Sequence, residues 1–316
     1  MVSNVRILAK EAGCSPATVS RVLNDFPYVK RELRERVIEA ARKLNYSLNR
    51  NCFLAVIPDE ANFCGYLGHI LSSLLQEASR RDLHVNVVTE KDLFHAGGTC
   101  LYDGIISLLG KTGLEKKWGA DQVLPMVCVN SAGQRKDNIL RVSSDNRQGI
   151  FLALDYLKRR GHRKIAFVNP DLRSPQESTD MGERQLFYSE WIRDNVPGFQ
   201  PEISDFPFFK APSPFNELVR KGITAILVPG EGIASEIFYE LEHAGIRIPK
   251  DLSVITMEHD LVSHALVPAA TTIGQDWNQL AWNTFDILEK IRKNRPVQDR
   301  SIPFLFKERQ SVAAIE

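Results

Sequence analysis

From residue 53 onward the chain alternates short runs of β-branched and apolar residues with longer stretches of helical periodicity, and this alternation restricts the fold more than any other feature. FLAVI (53–57), HVNVV (84–88), DGIISL (103–108), PMVCV (125–129) and NILRV (138–142) form a first series of strand-like runs. KIAFV (164–168), TAILV (224–228) and LSVIT (252–256) form a second. The intervening segments predict helices over 66–81, 145–160, 179–195, 233–244 and 277–293. Brief β runs between longer helices specify parallel sheets covered by helices on both faces, and there are enough runs here for two such sheets.

At 316 residues the chain is long enough for a small unit beside a larger one. Its 43% hydrophobic and 25% charged residues suit a packed globular protein and exclude a disordered one. The net charge of +1 conceals an asymmetry, because residues 1–50 hold ten Lys or Arg against five acids. The amino-terminal end is therefore basic and the remainder slightly acidic, a split that favours a polyanion partner at that end. Cys14, Cys52, Cys64, Cys100 and Cys128 form no CxxC pair, so neither a zinc site nor a disulfide framework is expected. No run of eighteen apolar residues and no leader-like start is present, and the chain reads as cytoplasmic with no membrane partner. A Walker loop, GxSxG and HExxH are all missing, so no catalytic residues, metal or cofactor are assigned and an enzyme is not expected.

Ahead of the alternating region stand three helical segments. Asn4 is placed to cap a first helix with Val5, Leu8, Ala9 and Ala12 on its inner face, and Gly13 stops it. Ser15 is the natural N-cap of a second helix, Pro16 opens it without losing a hydrogen bond, and Val19, Val22 and Leu23 form its buried stripe. A third helix over 31–45 buries Leu33, Val37, Ala40, Ala41 and Leu44. With Val19 and Leu23 inward, Pro16, Ala17, Ser20 and Arg21 fall on the outer side of the second helix, the side a recognition helix presents to the major groove. For an isolated arginine a solvated surface charge would be the other reading.

The stretches AKEAGCSPATVSRVLN and RERVIEAARKLNY resemble the heads of the lactose repressor (LacI/GalR) family of bacterial transcription regulators, almost without gaps from residue 4 to Tyr46. The resemblance implies that Pro16, Ala17 and Arg21 occupy base-reading positions, with Arg21 able to donate two hydrogen bonds to a guanine. It implies that Ser15, Thr18, Ser20 and Asn24 lie against phosphates and fix the register. Cys14 stands where the family has a small aliphatic residue, and a buried apolar thiol is expected there. Lys30 stands where the third helix has a hydroxyl or acidic cap.

The segment that follows departs from the family. After LNY the family continues into a short hinge helix that wedges into the minor groove, whereas here only SLNRNC separates Tyr46 from the strand beginning at Phe53. The link is roughly ten residues shorter than the family pattern, nearly three helical turns, and no hinge helix fits. Asn49 and Arg50 are left to contact the DNA backbone, and the operator is expected to be read with little central kink.

The resemblance extends through RVSSDNRQGIFLALDYLKRRGHRKIAFV, GERQLFYSEW, HAGIRIPKDLSVITMEHD and PAATTIGQDW. It implies a two-lobed, periplasmic-binding-protein-like core that dimerises and binds a small effector. Ligands of open parallel sheets bind beyond the carboxyl ends of the strands. That rule singles out Asn62 and Phe63 after the first strand, Glu231 after AILVPG, Glu258 after SVITM and Gln275 after ATTIG. By the resemblance Arg184 holds an effector oxygen, and Gln275 sits at a lobe crossing. Two acids and a guanidinium suit a polyhydroxylated ligand. Each glutamate has an alternative as an acid at a helix start, Asp145 reads as the cap of its own helix, and Phe208 or Phe209 is either a stacking ring or packed core.

The expected architecture is thus α/β, with a three-helix helix-turn-helix head at 1–48, a short linker at 49–52 and a two-lobed effector-binding and dimerisation unit at 53–316. The expected function is that of a sequence-specific regulator, most often a repressor in this family, controlled by a sugar or sugar derivative. Its expected partners are double-stranded DNA with palindromic half-sites, the effector and a second copy of the chain. A small-molecule sensor or solute-binding protein without operator-specific binding is the alternative.

Overall fold

A computed structural model describes residues 4–23, 28–44, 46, 51–63, 65–95, 102–109, 114, 124–131, 139–169, 180–205 and 214–315. Asn24, Asn49 and Arg50, together with Phe208 and Phe209, lie outside the described residues.

The head comprises α1 (Asn4–Glu11), α2 (Pro16–Leu23) and α3 (Arg31–Lys43). Asn4 is the first helical residue of α1, one position inside the expected cap. Gly13 takes φ 61° and lets the chain reverse, after which the Cys14 N–H reaches the Ala9 carbonyl at 3.0 Å. The three helices close around Leu8, Ala9, Val19, Val22, Val37, Ala40 and Ala41, with Cys14 and Tyr46 packed against that cluster. Cys14 is half-buried rather than fully buried as expected, and that partial burial raises its thiol pKa. Two further details differ from expectation. Leu33 is only half-buried and Leu44 is exposed, because α3 ends at Lys43, while Ile38 fills the inner face instead.

The larger unit holds two six-stranded sheets. The first comprises β1 (Cys52–Ile57), β2 (His84–Thr89), β3 (Gly104–Ser107), β4 (Met126–Val129), β5 (Ile139–Ser144) and β11 (Arg300–Ile302), in the order β11-β5-β4-β3-β1-β2, all parallel. The second comprises β6 (Ile165–Asn169), β7 (Glu202–Asp205), β8 (Ala225–Val228), β9 (Ser253–Thr256), β10 (Thr271–Gly274) and β12 (Leu305–Lys307), in the order β12-β10-β9-β8-β6-β7. Only β12 runs antiparallel, against β10. Both sheets therefore share one doubly wound topology whose order reverses beside the first strand, between β1 and β3 and between β6 and β8.

Two long helices change lobes with the chain. After β5, α6 (Asn146–Arg159) packs Ile150, Ala153 and Leu154 on the second sheet. After β10, α11 (Trp277–Arg292) returns and packs Leu280, Ala281, Phe285 and Leu288 on the first, together with α4 (Tyr66–Arg80). A third crossing joins β11 to β12. Asp145 caps α6 through the Gln148 N–H at 2.9 Å, as expected, and Asp276 caps α11 through the Gln279 N–H at the same distance. The remaining helices are α5 (Glu90–His95), α7 (Asp180–Asn195), α8 (Phe215–Arg220), α9 (Ala234–His243) and α10 (Asp260–Ala265). No helix among the described residues is long and apolar enough to cross a membrane.

Candidate functional site: the outer face of α2 and the cleft between the lobes

On α2 the division between faces follows from helical spacing. Val19, Val22 and Leu23 are buried, whereas Ser15, Pro16, Ala17, Ser20 and Arg21 are exposed and Thr18 is half-buried. The Thr18 N–H donates to Ser15 Oγ at 3.0 Å, so Ser15 is the cap, and the two hydroxyls lie 2.9 Å apart. Cap and hydroxyl pair hold the first turn rigid with its polar atoms outward. Arg21 emerges one turn further along that face, free to extend into a groove.

In the larger unit the two points of strand-order reversal meet. Gly65, after β1, approaches the backbone of Glu231 and Gly232, after β8, so closely that an added Cβ would sit 3.4 Å from the Glu231 carbonyl group. Gly65 has φ 71°, a conformation that costs glycine little. From this junction side chains of both lobes converge.

Gln275, 6% exposed at the second crossing, is the centre of the convergence. Its Oε1 accepts from Asn130 Nδ2 at 2.6 Å and from the Ser144 hydroxyl at 2.7 Å, both in the first lobe. Its Nε2 donates to Glu231 Oε1 at 3.0 Å in the second. The other oxygen of Glu231 is sealed from solvent and has no hydrogen-bond partner among the described residues. Burial, with the neighbouring Glu258 charge adding to it, pushes the Glu231 pKa up to about 8.

Arg184 is buried on α7. Its Nε donates to Asn146 Oδ1 at 2.9 Å and its Nη1 to the Pro229 carbonyl at 2.5 Å, while Nη2 bonds no described residue. Asn146 in turn donates to Asp180 and Glu183, and burial raises the Asp180 pKa. The guanidinium is thus held through Nε and Nη1, leaving the two N–H donors of Nη2 without a partner among the described residues.

Glu258 is fully buried, its Oε2 accepting from the Gly232 N–H at 2.7 Å and its Oε1 from the His259 N–H at 2.9 Å. It anchors the approach to α9, which is the helix-start alternative raised for the glutamates. Each oxygen keeps a lone pair. Phe63 is a 55% exposed ring on the loop that follows β1, with Asn62 exposed next to it.

Several members of the convergence carried no signal of their own in the amino-acid string. His69 of α4 stacks on His259 of the second lobe, ring centroids 4.0 Å apart and planes 11° from parallel, and Trp277 lies 5.6 Å from His69. Burial lowers the pKa of both histidines, so both rings favour the neutral form. Tyr66, one turn before His69, is within 5.8 Å of Trp277, and its hydroxyl is held neutral by burial. The three-residue spacing of Tyr66 and His69 places them on one helical face, and it was the one available hint. Across the cleft the floor offers two carboxylates, an amide, one guanidinium prong and a wall of aromatic rings.

Comparison with known proteins fits this geometry. A family profile described as "Bacterial regulatory proteins, lacI family" matches residues 8–49, and one described as "Periplasmic binding protein-like domain" matches residues 154–312. A relative named an uncharacterized HTH-type transcriptional regulator YkvZ, from Bacillus subtilis (strain 168), is 25% identical over 98% of this chain and 100% of its own. A crystal structure of the lac repressor dimer bound to operator and an anti-inducer superposes with TM-score 0.68 at 22% identity, covering 97% of this chain and 98% of that one. A periplasmic binding protein/LacI transcriptional regulator from Alkaliphilus metalliredigens QYMF, complexed with D-xylulofuranose, superposes with TM-score 0.68 at 19% identity, covering 83% and 99%. All of these are described as transcription regulators or binding proteins. With a helix-turn-helix head matching one profile and half of its length matching the other, the chain belongs to the LacI family and is a sequence-specific DNA-binding transcription regulator.

Proposed function

We propose that two copies of the chain read a palindromic operator in the cytoplasm, and that a sugar or sugar derivative held between the lobes controls the reading. The division into a head at 1–48, a linker at 49–52 and a core at 53–316 belongs to this proposal. Pro16, Ala17 and Arg21 meet base edges in the major groove. Ser15, Thr18, Ser20, Asn24, Asn49 and Arg50 contact the phosphate backbone. The dimeric operator complex of the lac repressor supports the pairing of two copies.

Phe63, Arg184, Glu231, Glu258 and Gln275 form the effector site. One observation carries this assignment: Gln275 links Asn130 and Ser144 of one lobe to Glu231 of the other, beside the unpartnered Glu231 Oε2 and the free prong of Arg184. Polar groups unsatisfied in a buried cleft are what a ligand hydroxyl completes. The bound D-xylulofuranose of the Alkaliphilus protein supports a sugar. Ligand binding at such a junction favours one lobe arrangement over another, and only that difference in affinity shifts the spacing of the two heads.

A thermal-shift screen of sugars, sugar acids and purines tests the site. A sugar hit whose affinity falls at least tenfold in Arg184→Ala is the expected result, consistent with the loss of about 1.4 kcal/mol or more. A hit unaffected by that substitution contradicts the assignment. In parallel, a gel-shift selection on a palindromic library should return one two-fold symmetric sequence, with affinity falling steeply as salt rises.

A further inference from the structure

One nitrogen and two carboxylates in the cleft lie closer together than sugar recognition requires. A ring nitrogen of His69 and carboxylate oxygens of Glu231 and Glu258 all fall within 4.8 Å of one another. His69 comes from α4 of the first lobe, whereas Glu231 and Glu258 follow β8 and β9 of the second. Neither ring nitrogen of His69 has a hydrogen-bond partner among the described residues. Glu231 Oε2 is likewise sealed and unpartnered. The two carboxylates of the set have no arginine or lysine salt bridge among the described residues, since Arg184 is bonded to Asn146 and Pro229. A divalent cation that displaces the Glu231 proton would balance the charge of the pair and give His69 and Glu231 Oε2 the partners they lack.

We propose that His69, Glu231 and Glu258 bind a divalent transition-metal ion that ties the two lobes together, and that this ion is a ligand of the regulatory cleft. The inference rests on that cleft being the effector site and extends it by naming a second class of ligand. Mixed imidazole and carboxylate donors select zinc, manganese or cobalt over magnesium and calcium, which prefer oxygen alone. Bond lengths of about 2.0–2.2 Å put donor atoms of a tetrahedral site about 3.4 Å apart. Starting within 4.8 Å of one another, the donor atoms therefore close by at most about 1.4 Å when the ion enters. Glu258 starts in place, oriented by the Gly232 and His259 N–H groups in the way outer partners orient metal ligands. His69 stacks on His259 and has Trp277 tilted against it at 5.6 Å, contacts that hold its ring. Three protein donors leave at least one coordination position, and a sugar hydroxyl is a suitable occupant.

The test uses the full chain freed of metal by chelator and titrated calorimetrically with Zn²⁺, with Co²⁺ as a coloured substitute. The expected result is one ion per chain, a visible Co²⁺ band of a low-coordinate site, and affinity weakened at least about tenfold in both His69→Ala and Glu231→Gln. Glu231→Gln keeps the side-chain shape, and equal urea midpoints for variant and parent show that lost binding is not lost folding. No binding by the parent chain, or binding equally tight in both variants, overturns the proposal. Repeating the sugar screen with chelator present separates the two readings. Sugar binding with no Zn²⁺ binding removes the ion and keeps the effector cleft; Zn²⁺ binding with no sugar hit supports the ion and removes the sugar.

Discussion

Buried His162 shows how one residue ties the fold to solution conditions. It is 1% exposed, with Nδ1 2.9 Å from the Thr224 hydroxyl and Nε2 3.1 Å from the Ala313 carbonyl, joining the start of β6 to the carboxyl-terminal segment. Burial lowers its pKa from 6.5, with the Arg160 charge adding to the effect. The unfolded chain therefore takes up a proton that the folded chain refuses, and stability is present above about pH 6.5 and lost as pH falls through that value. Urea melts at pH 7.5 and 5.5 should show His162→Gln with a shallower acid decline than the parent, by up to about 1.4 kcal/mol per pH unit. An unchanged slope would exclude His162 as its source. At this scale sequence patterns revealed only roles set by local spacing. Ser15, Asp145 and the outward Arg21 could be placed from neighbours within four positions. His69 and His259 could not, because their proximity depends on the packing of two lobes 190 positions apart in the chain.

Among the elements, those that bury most were the most legible. Strand runs such as FLAVI and AILV are fully apolar because helices cover both faces of each sheet, and each is flanked by a strand on both sides. The short edge strands β7 (EISD), β11 (RSI) and β12 (LFK) carry polar residues and too few positions for any periodicity, so they form only once a neighbouring edge is offered. The six-residue helices α5, α8 and α10 escaped notice for the same reason. The lobe crossings are where element and function meet. A Cβ on Gly149 of α6 would lie 2.6 Å from the ring of Phe304, which lies in the third crossing. Gly149→Val should therefore destabilise the core by about 1–3 kcal/mol in urea unfolding. Asp276→Ala removes the cap of α11 at the second crossing and should cost about 1 kcal/mol, measurable in the same way. A neutral result for Gly149→Val would mean that α6 does not press on the crossing.

For the whole molecule the account joins two separately packed parts, a head closed around Leu8, Val19 and Val37 and a core whose lobes meet at Gln275. Only six residues separate Tyr46 from Phe53, and on the proposed reading, with no hinge helix there, a circular-permutation bending assay should find little kink at the operator dyad. A strong central kink would show that some other part of the chain enters the minor groove. The central claim, that the outer face of α2 reads bases, is tested most directly by competition binding of the parent chain and Arg21→Ala to the selected palindrome and to an unrelated duplex. The account predicts a loss of about 1–3 kcal/mol per half-site on the palindrome and a much smaller loss on the unrelated duplex, so that the ratio between them collapses. Equal losses on both duplexes, or no loss on either, would contradict it.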